Sequence, residues 1–312
     1  MSDDGTTAFV FPGQGSQSVG MLDALAEDKP LVKQTFAEAS EALGVDLWQL
    51  VHQGPGEELN RTDRTQPAML AAGVAVWRVM QEADVPAPAV MAGHSLGEYT
   101  ALVCAGALHF ADAVALVADR GRFMQSAVPA GEGAMAAILG LSDEQVADVC
   151  DAAAQGEVVQ PVNYNAPGQV VIAGGAAAVE RAVAGAKEAG AKRAMPLPVS
   201  VPSHCALMAP AAERLAERLR GVTFQSPSIP VLHNVDVATS DDPDAIRDRL
   251  VRQLHSPVRW VETIQALADR GVDTVVECGP GKVLSGLTRR IDKTLASHAV
   301  HDPASLAALS QG

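Results

Sequence analysis

The apolar run Ala89-Val90-Met91-Ala92 leads straight into Gly93-His94-Ser95-Leu96-Gly97-Glu98, and the segment from Tyr99 to Leu108 then turns helical. A short buried strand that breaks sharply into a helix belongs to a layered α/β fold. Glycine weakens strands and helices alike, so two of them around one hydroxyl mark a backbone under unusual demand. A plain tight turn satisfies that pattern. So does a nucleophile elbow, which pushes the Ser95 hydroxyl out of the backbone and leaves the Leu96 N–H at a helix start, free to steady an oxyanion.

The rest of the chain alternates in the same way. Ala8 to Phe11 reads as a buried strand broken by Pro12-Gly13-Gln14-Gly15-Ser16-Gln17, and Pro67 to Met80 as a helix with Pro67 in its first turn. Beyond a helix over 112–124 the rhythm changes. Gly133 to Gly140 reads as a strand, Ser142 caps a helix running to Ala154, and Val158 to Asn163 and Gln169 to Ala173 are β-rich around the turn Asn165-Ala166-Pro167-Gly168. Ala176 to Ala189 is helical and Ala194 to Val199 extended, which completes a β-α-β-β-α-β unit of ferredoxin-like pattern. Alternation then resumes: a helical face of Leu207, Ala211, Leu215 and Leu219, a strand over Val231 to Val235, helical material from Asp244 to Arg270, and a buried strand from Val272 to Cys278 stopped by Gly279-Pro280-Gly281. The expected fold is therefore one α/β core with a mostly parallel sheet, over residues 1–127 and 200–312, interrupted by a ferredoxin-like small domain at 128–199.

Composition narrows the function. Of 312 residues 48% are hydrophobic, enough for a sizeable core, and no apolar run approaches the length of a bilayer span. A net charge of −14 argues against nucleic acid as a partner, since phosphate binding needs cationic surface. Cys104, Cys150, Cys205 and Cys278 are widely scattered, which suggests neither a disulfide framework nor a metal site. Met1-Ser2-Asp3-Asp4-Gly5 is acidic and unlike a signal peptide, so a cytoplasmic setting is expected.

A serine nucleophile needs a base. His94 adjoins Ser95, but neighbours on a sharp turn point apart, and His109 and His255 have no distinctive setting. His204, in Val201-Pro202-Ser203-His204-Cys205, reads as a loop histidine satisfied by backbone bonds or as the base. The stretch Phe11 to Gln17 lacks the Lys-Ser/Thr of a P-loop and the third glycine of a dinucleotide site. It is a tight turn, or a second oxyanion donor through the Gln14 N–H. Arg120 falls inside the apolar stripe of its helix, where an arginine snorkels, pairs with a carboxylate, or grips a substrate carboxylate with its two-pronged guanidinium.

Taken together, FPGQGSQ (11–17), GHSLGEYTAL (93–102), VNYNAPGQVVIAG (162–174), VSVPSHCALM (199–208) and GPGKVL (279–284) closely resemble the malonyl-CoA:acyl carrier protein transacylases of bacterial fatty acid synthesis. The resemblance covers nearly the whole chain and implies an α/β-hydrolase-like core with a ferredoxin-like insert. It implies Ser95 as nucleophile, His204 as base, the Leu96 and Gln14 amides as oxyanion hole and Arg120 as the grip on malonate. Gln253 would orient His204 through its backbone carbonyl, in place of a triad aspartate. Malonyl-CoA and an acyl carrier protein are the implied partners, and neither metal nor cofactor is required. Malonyl-selective acyltransferase domains of polyketide synthases carry His-Ala-Phe-His where this chain has Val201-Pro202-Ser203-His204, but the stand-alone fatty acid enzymes that it resembles share Val-Pro-Ser-His, so the resemblance implies malonyl as the acyl group. A polyketide acyltransferase with the same chemistry, or a serine esterase or thioesterase, is the alternative, and Arg120 separates a hydrolase from a malonyl transferase. Against the net acidity run Lys187, Lys192 and Arg193 in the insert and Lys282, Arg289, Arg290 and Lys293 near the C-terminus, the expected docking surface for an acidic carrier protein.

Overall fold

The computed structural model describes residues 6–199 and 201–310. The acidic start Met1 to Gly5, Ser200 at the expected domain boundary, and Gln311-Gly312 lie outside the described residues. A five-stranded sheet has the order β7-β2-β1-β8-β9, formed by β1 (Thr6–Phe11), β2 (Val90–Gly93), β7 (Val231–Leu232), β8 (Val272–Cys278) and β9 (Ala296–Val300). Every pairing in it is parallel. A second sheet, of order β4-β5-β3-β6, is antiparallel throughout and consists of β3 (Gly133–Leu139), β4 (Val159–Ala166), β5 (Gln169–Gly175) and β6 (Arg193–Pro196). With helices Asp143–Ala154 and Ala176–Glu188 it forms the βαββαβ small lobe.

Strand periodicity decides what each face buries. In β1, Phe9 and Phe11 face one apolar cluster with Leu70, Val74 and Leu102, while Ala8 and Val10 face another with Trp260, Ile264 and Leu284. The parallel sheet is thus covered on both sides, as expected of near-continuous apolar strands. In the small lobe, Ala136, Ile138, Val170 and Ile172 pack beneath the two helices. The opposite face carries Met135, Val162, Val171 and Ala173 against Cys205, next to His204.

Two local expectations are corrected. The long helix runs Thr62–Glu82, so Pro67 lies one turn inside it rather than in its first turn. The added turn is anchored from outside: the Thr62 hydroxyl donates to Gln14 Oε1 at 2.8 Å, and the Thr65 hydroxyl to the Leu59 carbonyl. The strand expected over 231–235 stops at Leu232. There the chain turns, with Val237 N–H donating to the His233 carbonyl at 3.0 Å, and this brings His233 and Asn234 under Ser95.

Candidate active site

Parallel strands present their carboxyl ends at one edge, where ligands of open α/β sheets bind. Here that edge gathers the loop after Phe11, the elbow after Gly93 and the Gly279-Pro280 turn after Cys278. The two glycines of the elbow are required by close approach. A Cβ on Gly93 would lie 1.9 Å from the Gly97 carbonyl carbon, and one on Gly97 would lie 2.0 Å from the Phe11 oxygen. Ser95 itself adopts φ 52° and ψ −109°, an unfavourable conformation for a residue with a Cβ, costing on the order of 1–3 kcal/mol. Asn234 offsets that strain, its Oδ1 accepting from Ser95 N–H at 2.8 Å and its Nδ2 donating to the Gly93 carbonyl at 2.7 Å.

The Ser95 hydroxyl meets His204 Nε2 at 2.7 Å. On the other side of the ring, Nδ1 lies 2.8 Å from the Gln253 carbonyl oxygen. A carbonyl can only accept, so Nδ1 carries the proton and Nε2 is left as the acceptor facing the hydroxyl. Gln253 ends helix Pro243–Gln253, where carbonyls lack partners in their own helix, which frees this one for the imidazole. Burial, and after it the nearby Arg120 charge, lowers the His204 pKa to about 3, so the ring is a neutral base at ordinary pH.

Arg120 stands in helix Phe110–Ala127 with 1% of its surface exposed. The expectation of a snorkelling or carboxylate-paired arginine does not hold. Its Nη1 donates to Gln66 Oε1 at 2.7 Å and its Nη2 to Gln253 Oε1 at 3.0 Å and to Ser95 Oγ at 3.3 Å, and the guanidinium lies 5.3 Å from the Tyr99 ring centroid. Among the described residues no carboxylate comes within 4.0 Å of it. A buried cation surrounded by neutral dipoles and aimed at a nucleophile is arranged to receive an anion.

The Leu96 N–H opens helix Leu96–Cys104, and neither it nor the Gln14 N–H has a protein acceptor among the described residues. The two loops touch, since a Cβ on Gly13 would lie 3.7 Å from the Leu96 nitrogen. His94 turns away from Ser95, as expected, with Nε2 2.8 Å from Asn165 Oδ1 and its ring against Trp260. A cavity of about 250 Å³ lined by His204, His255, Tyr164 and Gln160 separates the base from the small lobe.

Sequence reasoning missed Asn234, Gln66, Asn165 and the role of Glu98. Glu98 is the one with a signal, because a carboxylate three residues past the elbow serine falls inside the helix it opens. Its Oε1 meets His233 Nδ1 at 2.7 Å, and its Oε2 accepts from Asn234 N–H and from Gln253 Nε2, both at 2.9 Å. No cluster of metal-ligating side chains occurs among the described residues.

A half-buried serine on a strained strand-to-helix turn, a neutral histidine base and free amides define a serine acyltransferase or hydrolase. The chain matches the acyl transferase domain family over residues 8–311 and belongs to it. It is 62% identical over 305 residues to the malonyl CoA-acyl carrier protein transacylase of Salmonella typhimurium, covering 97% of this chain and 99% of the relative. An acyl carrier protein S-malonyltransferase from Vibrio cholerae superposes with a TM-score of 0.95 at 63% identity, covering 97% of this chain and 99% of that one. A complex of a type II PKS acyl-carrier protein with its malonyl-transacylase, PlMCAT:AntF, superposes with a TM-score of 0.97 at 58% identity, covering 98% and 99%.

Proposed function

We propose that the chain transfers a malonyl group from malonyl-CoA to the pantetheine thiol of an acyl carrier protein, in fatty acid biosynthesis, through a malonyl ester on Ser95. The observation that carries this reading is Arg120, a buried guanidinium without a carboxylate partner, 3.3 Å from the nucleophile. A hydrolase of neutral esters has no use for such a cation.

In the first half-reaction His204 Nε2 takes the Ser95 proton as Oγ attacks the thioester carbon. General base help of this kind is worth about 10²–10⁴-fold. The tetrahedral oxyanion faces the Leu96 and Gln14 amides, each worth about 3 kcal/mol by analogy with other oxyanion holes. When the carbon–sulfur bond breaks, His204 returns the proton to the coenzyme A thiolate, leaving malonate esterified to Ser95 with its free carboxylate on Arg120. The carrier thiol then runs the same steps in reverse, with His204 as its base. The Gln253 carbonyl holds the imidazole in the required tautomer throughout. Neither half-reaction calls for a metal or a redox step.

The basic clusters support the carrier as second substrate. Arg193 pairs in register with Leu139, which pairs with Gln169, and Arg290 Nη1 donates to Gln169 Oε1. Lys192 packs against Gly140 at the same end of the small sheet. Residues far apart in sequence therefore form one cationic edge, and it adjoins Asn165 and the elbow. Lys282 opens helix Val283–Ile291 beside the glycine-rich loop, and Lys187 lies in the last turn of helix Ala176–Glu188. Arg289, exposed on the same helix, donates through Nη2 to the Ser297 carbonyl and keeps its charge. A cytoplasmic setting is part of the same proposal. It is supported by the carrier-protein chemistry, and no helix among the described residues is long and apolar enough to cross a membrane.

The test is intact-mass analysis after mixing with malonyl-CoA. A malonyl adduct mapping to Ser95 and absent from Ser95→Ala is expected. An adduct that survives the substitution, or maps to Cys205, overturns the reading.

A further inference from the structure

We propose that Glu98 is a positioning residue that fixes the Gln253 amide and, through it, holds the Arg120 guanidinium at the acyl end of the site. This rests on the malonyl-transfer reading and extends it to a residue whose side chain bonds neither to substrate nor to the Ser95 hydroxyl.

The Gln253 side chain stands between two groups of opposite hydrogen-bonding character. Its Oε1 accepts from Arg120 Nη2 at 3.0 Å, and its Nε2 donates to Glu98 Oε2 at 2.9 Å and to the Ser95 carbonyl at 3.1 Å. Arginine has only donors to offer and a carbonyl only accepts, so the amide fits in one orientation. Reversed, it would set an NH₂ against the guanidinium and an oxygen against Glu98 and Ser95. Glu98 gives Gln253 the shortest of its three donor contacts, the third being Asn234 Oδ1 at 3.5 Å, and is itself immobilised, being fully buried and held by Asn234 N–H and His233. With this anchor the guanidinium stays within reach of Ser95 without any carboxylate touching it. A carboxylate in direct contact would compete with the substrate's own.

The surroundings of Glu98 also say which substitution should be tolerated. Glutamine at this position keeps one oxygen for Asn234 N–H and Gln253 Nε2, and its new NH₂ faces His233 Nδ1. His233 Nε2 has no partner, so the ring can move its proton there and accept at Nδ1 without losing a bond. Methionine, of similar length, offers Gln253 nothing.

The experiment compares kcat/KM for malonyl-CoA and acetyl-CoA, with folding checked by circular dichroism. Glu98→Met should lower the malonyl value about tenfold or more while lowering the acetyl value less, and Glu98→Gln should recover most of the loss. Gln253→Met keeps the backbone carbonyl on His204 and removes only the amide. It should reproduce the lost preference, and adding Glu98→Met to it should cost little more. An unchanged malonyl-to-acetyl ratio in Gln253→Met overturns the proposal even if Glu98→Met fails to fold, as does a Glu98→Gln enzyme as impaired as Glu98→Met. Arg120→Met is the control. If it too leaves the ratio unchanged, the malonyl reading itself has failed. If it alone changes the ratio, only the role of Glu98 has.

Discussion

The two sheets use their strand ends differently. In the parallel sheet β1, β2 and β8 all deliver their carboxyl ends to one edge, so Gln14, Ser95 and the Gly279-Pro280 turn meet there. In the antiparallel sheet neighbouring strands end at opposite edges and gather no such cluster. The small lobe instead supplies a wall and a rim: Asn165 bound to His94, Gln160 Oε1 accepting from Ala206 N–H at 2.8 Å, and a basic edge. The difference assigns chemistry to the parallel sheet, whose backbone is packed too tightly to vary. Under the proposed function, recognition of the carrier falls to the rim of the antiparallel one, where Arg193 and Lys192 lie at one end of the sheet.

That division is most directly broken at Gly97. Its added Cβ would meet the Phe11 backbone, which cannot swing aside as a side chain can, so Gly97→Ala should cost at least about 3 kcal/mol and abolish the Ser95 adduct. Chemical denaturation and intact mass would measure both. A stable, fully acylating variant would mean the elbow is less constrained than its geometry implies.

A smaller effect is expected at Arg120. Removing the guanidinium should lower malonyl transfer roughly 30-fold or more relative to acetyl transfer, as for loss of one partner of a buried charge pair. It should also alter the pH profile. With the His204 pKa lowered to about 3, kcat/KM should stay flat on acidification to below about pH 5, because the free enzyme keeps its base neutral. Arg120→Met deletes one of the two main causes of that lowering, so its acid limb should move up toward the ordinary histidine value. A native profile that bends near pH 6.5 would contradict the buried, uncharged base.

The smallest effect belongs to the small lobe. Charge reversal at Lys192 and Arg193 should raise KM for the carrier protein roughly threefold to tenfold and leave that for malonyl-CoA nearly unchanged. Added salt should reproduce the defect, since exposed charges are screened within about 10 Å at 0.1 M. Carrier kinetics indifferent to both would remove the rim from the docking surface.

The sequence by itself determined what depends on local pattern. The buried apolar runs at Ala8–Phe11 and Val272–Cys278, the strand-to-helix break at Gly93–Gly97 and the βαββαβ order of 133–196 are written in neighbouring residues, and the structure has them within a few positions. Pro67 and Val231–Val235 went astray because contacts from distant elements, Gln14 in one case and Glu98 in the other, decided where helix and strand stop. Only the tertiary structure decided the pairings of the site. It set His204 on Ser95 from 109 residues away, and it surrounded Arg120 with Gln66 and Gln253 rather than a carboxylate. The physical reason is that a side chain's charge state and orientation follow from burial and partners, and those are set by how far-apart segments pack. Asparagine and glutamine suit a turn or a surface as readily as a site, so Asn234, Gln66 and Asn165 show their roles only once their partners are in place.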